Sequence, residues 1–343
     1  MATIFGKNYS RKELLQKTGN LNQIGGITSF EYLNGRAAHT QALRLDTGTL
    51  SLILLPSRCL DIAFASYKGI PFSYLSKSGI RNPEYFSENG SRGFLDNFYG
   101  GLLTTSGLNS IGSPSSIDGR DYGLHGEISN LPAETVSVDQ FWEQDELIFT
   151  VKAVMHQSRF YGEDLLFTRE LRTWLGSNKI ILQDTVENLD SIPTPVFLLY
   201  HMNFGFPLTD EHAYITSSAI DKIVPRTAAA AAGTDAAFTI EAPEPLREEE
   251  CFYYYFKEKD VKISINNPAL GVSGLSAYIK YNTGQFPEFV EWKFMRSREY
   301  VCGFAPSTNR LEGREQALKN ESVKYLDPLE KITFKTEIGV EEL

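Results

Sequence analysis

The sequence predicts a mainly antiparallel β protein, and three observations carry that expectation. Short apolar or alternating runs recur along most of the chain. Gly, Pro, Asn and Asp separate them. Neither a sustained βα alternation nor a nucleotide-binding glycine loop after a strand supports an α/β design. The 343 residues include 42% hydrophobic and 12% aromatic side chains, enough for a substantial core. Large β-sandwiches and barrels reach this length as one folding unit, so a single domain over residues 1–343 is expected.

The first element differs from the rest. Ser10 is followed by Glu13 in the segment SRKELLQKT, the spacing of a capping box, so a short helical extension is expected at about residues 8–20. Strand-like runs then follow at 42–48 (ALRLDTG), 50–56 (LSLILLP), 147–156 (LIFTVKAVMH), 179–189 (KIILQDTVENL) and 196–206 (VFLLYHMNFGF). Three more lie at 290–295 (VEWKFM), 300–306 (YVCGFAP) and 332–340 (ITFKTEIGV). Between residues 149 and 156, Phe149, Val151, Ala153 and Met155 alternate with Thr150, Lys152, Val154 and His156. That pattern predicts one packed and one solvated face, with His156 on the polar side.

Two segments read as connections. Asn89–Gly93 has the composition of a turn. The alanine run from Ala228 to Ala232, between Pro225 and Gly233, is too short for stable isolated helicity and reads as a mobile surface connection. It is not read as a domain linker, because strand patterns continue on both sides.

A formal charge of −10 and a pI near 5.2 oppose a nucleic-acid surface, which needs clustered Lys and Arg. Cys59, Cys251 and Cys302 are odd in number and lack CxxC or His/Cys ligand spacing, so buried reduced thiols are expected. The N-terminal segment has no signal-peptide pattern and no run approaches a membrane span, which points to a cytoplasmic protein without a membrane partner. The histidines do not show the i, i+4 spacing of a helical metal motif with acidic ligands, and no metal is expected, although a cupin-like site of sequence-distant histidines stays open.

Chemistry concentrates in two short motifs. Tyr122-Gly123-Leu124-His125-Gly126 and Tyr200-His201-Met202-Asn203-Phe204 each place one histidine at a strand-like stretch beside a Gly or Asn. Two imidazoles converging on one pocket suit acid/base work on a neutral polar substrate. For either alone the reading as a satisfied structural histidine is preferred, and the surrounding motifs change the balance. His39 and His212 lie in no such motif and read as surface or structural residues.

Four ordered motifs resemble the aldose 1-epimerase (galactose mutarotase)-like superfamily, and most closely an uncharacterised epimerase-like branch of it. They are GLLTTSGL at 101–108, YGLHGEISNLPAE at 122–134, the run from Asp184 to Leu208, and VEWKFM at 290–295. The resemblance covers the chain from about Gly25 onward. It implies a large antiparallel β-supersandwich of the galactose mutarotase type with a cleft on a concave sheet face. It also implies a sugar or sugar-derivative ligand, interconversion of sugar anomers by ring opening, and no cofactor. Carried onto matching positions, it makes His201 the proton donor and His125 an assisting group.

The sequence departs from that family at one decisive place. Related chains carry a basic glutamate in a Leu-Glu-Pro segment, where this chain has Phe304-Ala305-Pro306. Glu291 is the candidate replacement base, against a reading as a strand-surface glutamate paired with Lys293; Glu312 is a weaker substitute. Candidate sugar contacts are Arg58, Thr105, Asn109 and Asn203, with Arg58 alternatively paired to Asp61. Trp292, Phe204 and Phe206 are candidate apolar platforms, with core packing preferred for Phe206. Strand alternation puts Trp292 and Glu291 on opposite faces, so both are not expected to meet the sugar. Two other functions stay open: a noncatalytic carbohydrate-binding or sensing protein, and an isomerase or lyase acting on a sugar acid. The motifs specify neither the sugar nor an oligomeric state.

Overall fold

The computed structural model describes residues 1–343. Antiparallel pairing organises it into three large sheets. A five-stranded sheet is formed by the run from Gly26–Glu31 through Gln41–Asp46, Leu50–Leu55 and Asp61–Tyr67 to Ile70–Pro71. An eight-stranded sheet contains the long hairpin strands Thr135–Glu143, Glu146–Ser158, Asp164–Trp174 and Lys179–Asn188. It continues through Lys331–Glu342 and Leu275–Asn282 to Asp260–Asn267 and Tyr214–Ser217.

The third sheet has seven strands, and five of them matter for the site. They are β1 (Thr104–Leu108), β2 (Thr194–Gly205), β3 (Glu250–Phe256), β4 (Glu288–Arg296) and β5 (Glu299–Ser307). β3 pairs with β4, β4 with β5, β5 with β2, and β2 with β1. Sequence-distant strands therefore lie side by side.

Alternation along these strands sorts their side chains into two apolar groups. Leu198, Tyr200, Met202, Phe204, Phe252, Tyr254, Phe289, Cys302 and Phe304 enter one cluster of 60 buried residues, shared with inward faces of the other two sheets. The intervening positions, including Phe197, Leu199, Cys251, Tyr253, Val290 and Ala305, form a second cluster of 9 buried residues on the opposite face. The first fills the sandwich; the second floors a cleft.

Helix α1 spans Arg11–Lys17, and its capping box is complete: Ser10 Oγ accepts from the Glu13 backbone N–H, and Glu13 Oε2 accepts from the Ser10 N–H at 2.8 Å. Two connecting segments differ from expectation. The Asn89–Gly93 turn leads straight into a second helix, α2, at Ser91–Asn97. Gly90 precedes it at φ 55°, a conformation costly for other residues, and supplies no side-chain cap. The alanine run lies mostly at the surface but forms a 3-10 turn at Ala230–Ala232 with Ala230 buried, and the segment after it is anchored: Ala237 is buried, and Lys293 Nζ bonds the carbonyls of Ala236 and Thr239 at 2.6 and 2.8 Å. Packing from beneath fixes what local propensity leaves undetermined.

All three cysteines are free and buried. His156 is half-buried with Nε2 2.5 Å from Asp164 Oδ1, and His39 lies on the surface beside Glu31. No helix is long and apolar enough to cross a membrane.

Candidate functional site

The outward face of β2–β5 and helix α2 enclose a cavity of about 520 Å³, within the range of small-molecule sites. β2 contributes Leu199 and His201 to it, β4 contributes Val290, Trp292 and Phe294, and β5 contributes Ala305. The helix lowers Phe94 and Leu95 over this floor, followed by Phe98 just past its end.

His125 reaches the same cavity from a tight loop. Its φ of 61° lies in the left-handed region, where a non-Gly residue needs support from its surroundings. That support is local: the His125 N–H donates to Gly112 O, and the His125 carbonyl accepts from Gly107 N–H, both at 3.0 Å. The next residue, Gly126, is also at positive φ, and a Cβ there would stand 2.3 Å from Gly107 O. Backbone geometry therefore requires glycine at 126, while His125 is held in its left-handed conformation by the hydrogen bonds on either side of it.

The structure brings His125 and His201 together, with ring centroids 5.7 Å apart. Phe94 lies 4.9 Å from His125, while Phe98 and Trp292 lie 5.1 and 5.2 Å from His201. Burial pushes His125 down to about 3, and the neighbouring His201 and Arg226 act in the same direction. Burial also pushes His201 down to about 4, opposed by its bond with Asn203. Both rings are neutral at physiological pH.

Hydrogen bonding assigns their tautomers. Asn203 Nδ2 donates to the carbonyls of His201 and Gly100, so its Oδ1 is the atom 2.6 Å from His201 Nδ1. Nδ1 must then carry the proton, leaving a lone pair on Nε2. In His125 the relation is reversed: Nδ1 accepts from the Gly112 N–H at 3.4 Å, which leaves the proton on Nε2. Neither Nε2 has a protein partner, and neither is sealed from solvent. One cleft thus holds an imidazole acceptor beside an imidazole donor.

The other sequence candidates distribute differently. Asn203 is fully buried and acts on the cleft through His201. Glu291 is not in the cleft. Successive β4 side chains alternate, so with Trp292 facing the cavity Glu291 points into the sandwich, 0% exposed, where Tyr254 Oη donates to it at 2.5 Å. Burial pushes its carboxyl up to about 8 against the opposing pull of Lys293 and Tyr254. Neither is it a strand-surface residue.

Arg58 is likewise away from the cavity. Its guanidinium bonds the carbonyls of Ser129, Arg81 and Asn97, the last being the end of α2. Asp61 is not its partner; that carboxylate accepts from Thr105 and from Arg169. Thr105 is thereby committed to the core, and Asn109 Nδ2 is held by Glu127 and Glu163. Phe204 is buried in the sandwich, whereas Phe206 is 68% exposed rather than core. Glu312 sits beside Arg310 at 3.3 Å and does not line the cavity.

Ala305 does line it, so the cavity wall presents a methyl group at that position. The carboxylates around the cavity are Glu249 and Glu299. Trp292 Nε1–H donates to Glu249 Oε2 at 2.8 Å, and Lys77 Nζ pairs with Glu299 Oε1 at 2.6 Å. These groups, Arg226 and the α2 aromatics were missed in the sequence, where no motif marks them. No three His, Cys, Asp or Glu side chains converge as metal ligands.

Comparison with known proteins gives the architecture a context. No protein of curated function matches the chain in sequence. A proposed aldose 1-epimerase of Klebsiella pneumoniae subsp. pneumoniae superposes with a TM-score of 0.86 at 24% identity, covering 94% of this chain and 86% of that chain. A galactose mutarotase-like protein of Clostridium acetobutylicum gives 0.65 at 16% identity, covering 94% and 100%. A proposed aldose 1-epimerase of Escherichia coli K12 gives 0.54 at 14%, covering 93% and 100%. At these identities the likeness establishes the fold, a mainly β architecture of the galactose mutarotase type. The family described as Domain of unknown function (DUF4432) matches residues 37–340, and this chain belongs to that family.

Proposed function

We propose that the protein interconverts the anomers of a sugar or sugar derivative, using the two neutral imidazoles in place of a carboxylate base. The observation that carries this reading is the complementary pair of tautomers beside Ala305. His201 Nε2 takes the proton of the C1 hydroxyl as the bond from C1 to the ring oxygen breaks and the C1 carbonyl forms. The resulting imidazolium returns that proton to the ring oxygen, which shares C1 with the hydroxyl and so lies within reach of the same nitrogen. His125 Nε2–H donates a hydrogen bond to the oxygen on which negative charge develops. Rotation about C1–C2 and the reverse sequence close the ring as the other anomer. Protons balance without a second base, and His201 is both acceptor and donor rather than acid alone.

The aromatic surround fits the same reading. Trp292, Phe94 and Phe98 offer apolar faces to the C–H side of a pyranose while the imidazoles meet its oxygens. Anomer exchange measured by NMR over a panel of aldoses, uronates and sugar phosphates tests it. Wild type should accelerate exchange of at least one member, and His201→Gln should lower that rate by about 10²-fold or more with little change in thermal stability. An undiminished rate in His201→Gln removes the mechanism.

Ala305 itself favours a second reading, a sugar-binding protein without turnover. Tight binding without acceleration in wild type, with exchange appearing in Ala305→Glu, would select it.

A further inference from the structure

Four charged side chains border the cavity: Lys77, Arg226, Glu249 and Glu299. Lys77 and Glu299 neutralise one another. Glu249 is engaged by the Trp292 indole and makes no ion pair. Arg226 is the remaining cation, and no carboxylate lies within ion-pair distance of it. Its one side-chain hydrogen bond runs from Nη2 to Leu311 O at a long 3.4 Å, although a guanidinium carries five N–H donors in a rigid fork.

The position of this group is built rather than incidental. Arg226 follows the strand Ile220–Pro225, and its backbone N–H donates to Cys251 O at 2.8 Å, fastening it to β3 at the cavity floor. Its charge reaches His125, where it helps keep the ring unprotonated. The cleft thus combines a guanidinium in want of an acceptor with two imidazoles that carry no charge. Phe94, Trp292 and Leu311 border the same space, and their apolar surfaces strengthen any charge-assisted bond formed there.

We propose that Arg226 is a specificity-determining residue that receives an oxyanion, carboxylate or phosphate, carried by the sugar. The inference rests on the sugar-binding part of the reading above and is independent of turnover. A bidentate guanidinium–oxyanion contact sets the substrate class as an acidic sugar, and it places the reacting end of the ring toward His125 and His201.

Calorimetric titration of the full chain tests this with D-glucuronate, D-galacturonate, D-glucose 6-phosphate and D-galactose 6-phosphate, each against its neutral parent. In wild type an anionic sugar should bind about 10-fold or more tighter than that parent, the scale of one hydrogen-bonded charge pair. Arg226→Gln should abolish the preference, bringing anionic and neutral sugars to equal affinity, and Arg226→Lys should keep part of it. Preference for the uronates identifies a carboxylate and preference for the phosphates a phosphate. Because Arg226 is exposed, these variants should fold, and unaltered thermal unfolding checks that they do.

Equal binding of neutral and anionic sugars overturns the proposal. So does a preference that survives in Arg226→Gln, or the absence of measurable binding by every anionic sugar. Arg226-dependent binding without anomer exchange upholds this inference and sinks the catalytic one. Exchange of neutral sugars indifferent to Arg226 does the reverse.

Discussion

His201 and Asn203 illustrate how a single neighbour decides what an imidazole can do. The Asn203 amide is locked by two carbonyl acceptors, so its oxygen must face Nδ1. The lone pair on Nε2 follows from that arrangement. Since the native rings stay neutral down to about 4 for His201 and about 3 for His125, a proton-dependent loss of activity belongs well below neutrality. The linkage has a definite sign. Unfolded histidines titrate near 6.5, so as pH falls from that value toward 4 the unfolded chain takes up protons that the native chain refuses, and stability falls with it. We predict that ring-proton NMR titration will show neither His125 nor His201 ionising above about pH 5 in the folded protein. A midpoint near 6.5 for either ring would contradict the neutral pair.

At the scale of the element, strand β4 performs two tasks on its two faces. Val290, Trp292 and Phe294 shape the cleft, while Glu291 and Lys293 belong to a buried polar group with Tyr254, Glu241 and Glu250. Glu291 is therefore expected to matter to stability rather than to proton transfer. Its native carboxyl is raised to about 8, so between pH 4.5 and 8 the native state holds a proton that the unfolded state has lost. This contribution is present below about 4.5 and disappears as pH rises through 8. Glu291→Gln should flatten the decline of melting temperature from pH 6 to pH 8.5 and leave sugar turnover within a few-fold of wild type. A loss of about 10²-fold in turnover, the scale of a missing catalytic base, would return Glu291 to the chemistry. The period-two pattern was sufficient to separate Trp292 from Glu291 and to indicate antiparallel β. It did not say which face was wet, because β4 is covered on both sides. Helix α2 was illegible for another reason: it has seven residues and no capping side chain, so packing rather than propensity forms it. Arg226 and Glu249 meet the histidines only through pairing of strands remote in sequence, a distance that no local motif encodes.

The whole molecule is joined by charge as well as by apolar packing. Arg169, on the eight-stranded sheet, bonds Asp184 on the neighbouring strand through Nε at 3.0 Å and Nη2 at 2.6 Å, and reaches Asp61 of the five-stranded sheet through Nη1 at 2.9 Å. Tyr200 of β2 adds its hydroxyl to Asp184 at 2.5 Å, and Thr105 of β1 bonds Asp61 through its backbone N–H at 3.1 Å. All three large sheets thereby meet at one guanidinium with no exposed surface. Such a cluster is poor evidence of net stabilisation, since desolvating the charges offsets much of their attraction. Its integrity matters more than its sum. Arg169→Met keeps most of the buried volume but strands two carboxylates in the core, and should cost about 3–5 kcal/mol in urea unfolding. Adding Asp61→Asn should recover part of that loss, because one of the stranded charges is then gone. An unchanged urea midpoint in Arg169→Met would show that the sheets are held by their shared apolar core alone.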